Sequence, residues 1–383
     1  MPSEPHRPTS FRTGETEPLL EPATQAHLAG DGILDSDPRS PTSTDELPEE
    51  RATLRIAAAA WSFAVVGLFT STTGAVIPHL EESYQLTDIQ VSALFLVGPI
   101  GYVIASYLND SVHAKFGQRG IAIIGPLCHL LYAAVAAARP PFPVFLMGAA
   151  AGAFGTAAAA IESCILCWAF RNENAERYHK SKLYQEIASD PASKGAIFKY
   201  KATWVYAGYL LIYVGAECTI SGWIVAFMLR VRHASTYASS ICSSAFWAGM
   251  AAGRLMLGVV TDKLGVKRAV VVYLIFAPVF TLLFIFVRVL WFSVVVMALL
   301  GFVMGPLFPS AIVQLVNLLP KELHVAAVSF VASLGQVGGA LLPYMLGAIT
   351  QVAGLETFQY MLLVQFGILF IIWIPSFGLS SGQ

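Results

Sequence analysis

The chain has 383 residues, of which 56% are hydrophobic and 12% are charged, and its mean hydropathy is +0.64. Because soluble proteins carry about 25% charged residues, this composition excludes an ordinary soluble globular domain. The formal net charge of -1 leaves no excess of basic residues for nucleic acid, so we expect no nucleic-acid partner.

The N-terminal segment, residues 1–52, differs in composition from the rest of the chain. It is rich in Pro, Ser, Thr and Glu and has no apolar periodicity, which predicts a disordered tail. The first apolar run starts near Leu54 and is long enough to span a membrane, so we expect no cleavable signal peptide. Leu19 and Leu20 follow Glu15-Thr16-Glu17-Pro18, an acidic dileucine pattern that indicates a sorting adaptor and a vacuolar or endosomal membrane. A plasma-membrane location stays open.

A helix that spans a membrane needs about 20 mostly apolar residues, and ten such runs follow the tail. They lie at 54–78, 90–108, 119–138, 142–168, 203–229, 238–260, 269–289, 290–318, 325–350 and 357–379. We therefore predict an all-α polytopic membrane protein in contact with the lipid bilayer. The polar segment between the fourth and fifth runs divides it into a four-span bundle at 53–170, an interdomain loop at 171–201 and a six-span bundle at 202–379.

Loop charges predict the orientation of these spans. If the tail is cytosolic, most loop Lys and Arg residues lie on the cytosolic side, and the opposite side receives only Arg139, Arg230, Arg232 and Arg288. Positive loop charge favours the cytosol, so both termini are predicted to be cytosolic.

Proline and glycine predict local features of the spans. Pro306 and Pro309 should break the eighth span, which is tolerated only where the freed carbonyls face protein or water. The cluster of Gly335, Gly338 and Gly339 should let the ninth span pass close to a neighbour.

A short segment between the sixth and seventh spans, from Gly253 to Arg268, combines glycine, acidic and basic residues. Gly258, Asp262, Lys263, Gly265, Lys267 and Arg268 resemble the signature loop of the major facilitator superfamily. The resemblance implies a clasp that holds one conformational state, in which Gly258 permits a close helix crossing and Arg254 is a partner for Asp262. An ordinary cytosolic hairpin is the alternative, because basic residues are expected there anyway.

The corresponding loop of the first half, Asn109 to Gly120, is degenerate, but its Asn109, Gly117 and Arg119 resemble the fungal fucose-permease-like branch of that superfamily. The resemblance covers about residues 55–375 and is stronger in the second half. It implies a two-bundle secondary transporter with a central cavity that moves a small polar solute, a sugar being one candidate, by alternating access.

The same resemblance implies that the fifth and eighth spans line the cavity. Candidate contacts are Tyr213, Glu217, Trp223 and Gln314, with Gln336 of the ninth span close by. A carboxylate near mid-membrane costs roughly 2.5–3.5 kcal/mol on insertion scales, and burial disfavours its charged form. Glu217 could therefore carry a proton and couple its movement to the solute; the alternative is a structural Glu that never titrates. Glu162 is the other acidic residue well inside a span.

The first half lacks two of the six spans that the family resemblance implies. The fourth run changes from an Ala- and Gly-rich composition to a different one near Gly155 to Glu162, which predicts a deletion at that junction. Either an exon is missing from this sequence, the explanation we favour, or the shortened chain exists. A shortened chain would transport poorly and could be an inactive or regulatory relic.

Other chemistry finds no support in the spans. They carry no paired His and carboxylate cluster, no Ser/Lys dyad and no metal-ligand spacing, so we expect no enzyme activity, no cofactor and no metal site. Cys164 and Cys167 are interpreted as small apolar packing residues.

Overall fold

The computed structural model describes residues 73–158, 196–320 and 323–379, except for the side chains at 102–103, 105–123, 125–126, 154–158, 196 and 325. Every regular element within these ranges is helical, which confirms the predicted all-α fold. The N-terminal helices are α1 at residues 73–84, α2 at Asp88–Ala137 and α3 at Phe142–Ala158.

Seven α-helices follow in the described residues after 195, preceded by a 3-10 turn at Ala196–Lys199. They are α4 (Lys201–Arg230), α5 (Thr236–Leu264), α6 (Val266–Phe286), α7 (Leu290–Met304), α8 (Leu307–Leu318), α9 (His324–Ala353) and α10 (Thr357–Trp373). With α7 and α8 taken together, six segments of the described chain are long and apolar enough to cross a membrane. They lie where the apolar runs of residues 202–379 predict them.

These six spans alternate in direction because short loops join them. One face of the bundle holds the end of α4 and the start of α5, and we call it the Arg230 face. The opposite face holds the end of α5 and the start of α6, and we call it the Leu264 face. At this second face the Trp373 indole N–H donates to the Lys267 carbonyl over 3.1 Å, which ties the end of α10 to the start of α6.

Helix α4 is the central helix of this half. Of its most apolar 18-residue window, 78% is buried, the largest share among the six spans. Helices α5, α8, α9 and α10 all contact it. The predicted close approach of the ninth span is confirmed, because a Cβ at Gly338 of α9 would lie 1.8 Å from the Leu211 carbonyl oxygen of α4.

Helix α2 covers both the second and third predicted spans, and the loop expected between them at Asn109 to Gly120 is helical instead. That stretch contains no proline, so nothing in its covalent structure forces the helix to stop. A straight helix of 50 residues would be about 75 Å long. The Tyr84 hydroxyl, just before α2, nevertheless donates over 2.7 Å to the carbonyl of Pro140, just after it. The helical chain therefore reverses direction, and its two arms lie side by side as two antiparallel spans would.

The predicted break in the eighth span is confirmed at Gly305 and Pro306, which separate α7 from α8. A helix end leaves carbonyl groups without partners inside the helix. The carbonyl of Met304, the last residue of α7, accepts a hydrogen bond of 3.0 Å from the Tyr213 hydroxyl of α4. The freed group is thus satisfied inside the protein, which makes the break tolerable at membrane depth.

Helices α5 and α7 cross closely through two facing Gly-x-x-x-Gly pairs, which are Gly249 with Gly253 and Gly301 with Gly305. An added Cβ would lie 1.9 Å from the Ala298 oxygen at Gly249 and 2.0 Å from the Phe302 oxygen at Gly253. Small residues at this spacing let two helical backbones meet. Gly258, the residue expected to permit the close crossing, has no described atom within 4 Å of its added Cβ. That expectation was wrong, because the contact lies about one and a half to two and a half turns earlier on α5.

Candidate functional site

A cavity of about 180 Å³ lies between the N-terminal helices and the C-terminal half. The first group contributes Thr73, Phe95 and Tyr132 to its wall, and the second contributes Ser221 and Gln336. Hydroxyl and amide groups on one side and aromatic rings on the other are what a small polar solute with an apolar face requires. The cavity is smaller than the roughly 300–1,000 Å³ of sites for drug-sized ligands.

Polar residues on one side of α4 continue from the cavity toward the Leu264 face of the bundle. Ser221 lines the cavity, and Glu217 lies four residues earlier on the same helical face. Cys218, its neighbour in the chain, is also in the cavity wall. Glu217 is thus one helical turn from the cavity, and its side chain is 15% exposed.

The partner of Glu217 is Arg254 of α5. The guanidinium lies 3.9 Å from the Glu217 carboxylate, and its side chain is 48% exposed. Ionisable groups within membrane spans are costly and are usually paired with one another. The ionised Glu217 carboxylate pairs with Arg254, and when Glu217 is protonated the half-exposed Arg254 side chain can be hydrated instead.

Arg254 was expected to pair with Asp262, and the structure corrects this. The two residues are eight positions apart on α5, about 12 Å along the helix axis, which is too far for an ion pair. Asp262 is exposed at the Leu264 face, and within the described ranges it takes part in no ion pair. The pair of Arg254 with Glu217 depends on how α4 packs against α5, so the sequence alone did not predict it.

Tyr213 joins this pair to the break in the eighth span. It lies one turn before Glu217 on α4, and its ring is completely buried. Its hydroxyl interacts electrostatically with both Glu217 and Arg254. Its hydroxyl donates to the Met304 carbonyl at the end of α7. The residue expected to contact solute therefore packs between the ion pair and the helix break, outside the cavity wall.

Of the other predicted solute contacts, one lines the cavity and two do not. Gln336 lines the cavity, as expected. Trp223 does not: it is buried, and its indole N–H donates to the Pro343 carbonyl over 3.1 Å. Gln314 is half-buried on α8 and is not among the residues that line the cavity. Phe95 and Tyr132 were missed, because single aromatic residues in an apolar run give no sequence signal.

The loop of the predicted clasp is a tight turn between two helices. Gly265 has a φ of 79°, a backbone conformation that favours glycine, and it ends α5 and begins α6. Asp262, Lys263 and Arg268 are exposed beside it. At three other predicted positions, Asn109, Gly117 and Arg119, the structure describes the helical backbone alone. Glu162 lies outside the described residues, as do Leu19 and Leu20.

The cavity is closed toward the Arg230 face by contacts between the two groups of helices. Phe95 of α2 packs against Trp223 of α4, with ring centroids 6.5 Å apart. Further out, a Cβ at Gly347 of α9 would lie 2.5 Å from the Ser92 side chain of α2. At the face itself, Arg230 bonds to Asp88 at the start of α2. These contacts separate the cavity from the Arg230 face.

Comparison with known proteins agrees with this arrangement. Over 388 aligned positions the chain is 27% identical to "Bypass of stop codon protein 6" of Saccharomyces cerevisiae, covering 79% of this chain and 78% of that protein. The alignment has more positions than this whole chain although it takes in only part of it, so the yeast protein has internal residues without a counterpart here.

Solved transporters share the fold. A structure of FucP in the outward conformation matches with a TM-score of 0.55 at 14% identity, covering 85% of this chain and 98% of that one. The nucleoside transporter NupG matches with a TM-score of 0.62 at 12% identity, covering 85% and 99%. Residues 205–380 match the family model of the Major Facilitator Superfamily. By that match, residues 205–380 are similar to the Major Facilitator Superfamily, and the fold of the chain is that of the solved transporters.

Proposed function

We propose that the chain is a secondary transporter that moves a small polar solute by alternating access and couples this movement to protons through Glu217. The observation that carries the proposal is the Glu217–Arg254 pair, one helical turn from a polar cavity between the two groups of helices. Glu217 would take up or release a proton when its pairing with Arg254 changes. Its protonation would then depend on whether the cavity holds a solute.

The proposed solute class is a small polyhydroxylated molecule of about monosaccharide size. A cavity of about 180 Å³ holds roughly six water volumes, at about 30 Å³ each in the liquid. The Ser221 hydroxyl and the Gln336 amide can bond to solute hydroxyls, and Phe95 or Tyr132 can pack on an apolar ring face. FucP of E. coli is a fucose:proton symporter and NupG is a nucleoside transporter, so both related folds carry solutes with sugar rings.

The remaining parts of the chain are assigned as the sequence predicts. The Leu264 face is cytosolic, because it carries Lys263, Lys267 and Arg268. Both termini are then cytosolic, and the tail at 1–52 presents Leu19 and Leu20 to a sorting adaptor. The four-span bundle at 53–170, the loop at 171–201 and the six-span bundle at 202–379 form the two halves that move.

Proteoliposome uptake tests the coupling. With labelled fucose and, separately, labelled uridine as solutes, an inward proton gradient should drive accumulation above the external concentration. Glu217→Gln should abolish accumulation but retain counterflow, in which labelled and unlabelled solute exchange without net proton movement. The amide keeps the size and hydrogen bonding of the side chain but cannot release a proton.

Glu356→Gln is the matched control, because Glu356 is exposed at the start of α10, away from the cavity. It should transport as the unmodified chain does. If Glu217→Gln accumulates solute as well as Glu356→Gln does, the coupling role of Glu217 fails. If the unmodified chain shows neither accumulation nor counterflow of either solute, the proposed function itself fails for those solutes.

The second candidate is a membrane protein that keeps the fold without transporting. The observation that favours it is the alignment with the yeast relative, which has internal residues that this chain lacks. Sequencing the full-length transcript across the codons for Gly155 to Glu162 separates the two. Two further spans at that junction would support an ordinary transporter. Confirmation of the junction would leave an incomplete cavity wall, for which we expect poor uptake.

A further inference from the structure

Three charged side chains meet at the Arg230 face. Arg230, the last residue of α4, donates to the Asp88 carboxylate over 2.8 Å and to the Glu81 carboxylate over 3.3 Å. Glu81 is on α1 and Asp88 is the first residue of α2. The cluster therefore ties both N-terminal helices to the central helix of the C-terminal half, and we call it the Arg230 cluster.

The Arg230 cluster is the outermost layer of the closure above the cavity. Beside it, the Ile89 backbone N–H donates to the Gln351 side chain of α9 over 3.4 Å. The Ser92–Gly347 and Phe95–Trp223 contacts lie beneath it, and the cavity follows. Opening the cavity toward this face requires all of these contacts to separate, so the cluster is placed to act as a gate.

The charges of the cluster do not balance when every group is ionised. Two carboxylates share one guanidinium, and the Glu81 and Asp88 side chains are only 13% and 15% exposed. Of the other neighbours, α9 presents the neutral amide of Gln351. A surplus negative charge is costly where water is limited. One proton on Glu81 removes the surplus and lets its carboxyl donate to Asp88, with which it shares a side-chain hydrogen bond.

We propose that the Arg230 cluster is a proton-sensitive gate, closed when Glu81 is protonated and released when Glu81 ionises. The proposal concerns the contact between the two halves and does not depend on the solute or on Glu217. Acidification at the Arg230 face would hold the gate shut, and alkaline pH would open it.

Whether rising pH opens or closes the gate depends on which state binds the proton more tightly. In the closed state, burial raises the pKa of Glu81 from its ordinary value of 4.5 to about 7. Arg230 opposes this increase, and Asp88 adds a smaller one. In an open gate Glu81 is in water and returns toward that ordinary value. The closed state therefore binds the proton more tightly, and its population relative to the open state falls by up to about tenfold per pH unit as the pH rises from 4.5 to 7.

Distance measurement between spin labels tests the gate without any transport assay. Nitroxides attached through p-acetylphenylalanine at Ser83 and Tyr237, two exposed positions of α1 and α5 at this face, leave the native cysteines in place. Double electron–electron resonance on the full chain in nanodiscs, frozen at pH 5 to 8.5, should show a short distance in acid. A longer distance should replace it as the pH rises from 5 to 7, with little further change above that.

Two variants separate the gate from general loosening. Glu81→Gln, a neutral mimic of the protonated acid, should keep the short distance at every pH. Arg230→Gln removes the link to α4 and should show the long distance already at pH 5, while both variants elute as single monodisperse species. The proposal is overturned if the unmodified chain shows no change with pH. It is also overturned if Glu81→Gln keeps the pH dependence or holds the gate open.

Discussion

The close crossing of α5 and α7 offers a test within a single helix. Gly253 and Gly258 lie five residues apart on α5, yet their surroundings differ. An alanine Cβ at Gly253 would lie 2.0 Å from the Phe302 backbone oxygen, whereas one at Gly258 would have no described atom within 4 Å. The backbone oxygen belongs to α7, so it cannot rotate away as a side chain could.

Gly253→Ala must push the two helices apart by about 1 Å or more, since carbon and oxygen essentially never approach within 3.0 Å. Overpacking of this kind costs about 1–3 kcal/mol. Gly258→Ala lowers only the backbone entropy of the unfolded chain, which stabilises a helix interior by roughly 0.5–1 kcal/mol. The two substitutions are chemically identical and are expected to change stability in opposite directions.

Thermal unfolding of the purified chain in detergent, followed by the loss of the monodisperse peak, measures the difference. For a unit of 150–250 residues, the size of the six-span half at 202–379, 1 kcal/mol corresponds to roughly 2–4 °C in Tm. Gly253→Ala should thus lower the Tm by about 2–12 °C, and Gly258→Ala should leave it unchanged or raise it by a few degrees. Equal Tm values for the two variants, or a larger loss at Gly258, would refute the assignment of the crossing to Gly249 and Gly253.

Three further outcomes are expected. Tyr213→Phe keeps the buried ring but leaves the Met304 carbonyl without its donor, so the free energy of unfolding in detergent should fall by about 1–3 kcal/mol. Gly338→Ala, whose Cβ would meet the Leu211 oxygen at 1.8 Å, should yield less monodisperse protein than Gly258→Ala on size exclusion. The stability of the chain should decrease between pH 4.5 and 7, because Glu81 is protonated more readily in the folded chain. Glu81→Gln should lessen that decrease in a Tm series across pH.

The class of the protein and the positions of its spans follow from the pattern of apolar residues. Apolar runs of spanning length are set by the thickness of the bilayer, and so the six spans of residues 202–379 were readable without a structure. The break at Gly305 and Pro306 was readable as well, because proline removes a helix donor. Glu217 was predicted as a candidate from the family resemblance and from its cost in the membrane.

The contacts between helices required the three-dimensional packing. The sequence paired Arg254 with Asp262, whereas the packing of α5 on α4 places it beside Glu217. Two Gly-x-x-x-Gly pairs were present in the sequence, but glycine spacing does not say which helix is the neighbour. The Arg230 cluster joins residues far apart in the chain. Local patterns fix where a helix runs, whereas pairing across helices depends on their rotation and offset, which the whole bundle sets together.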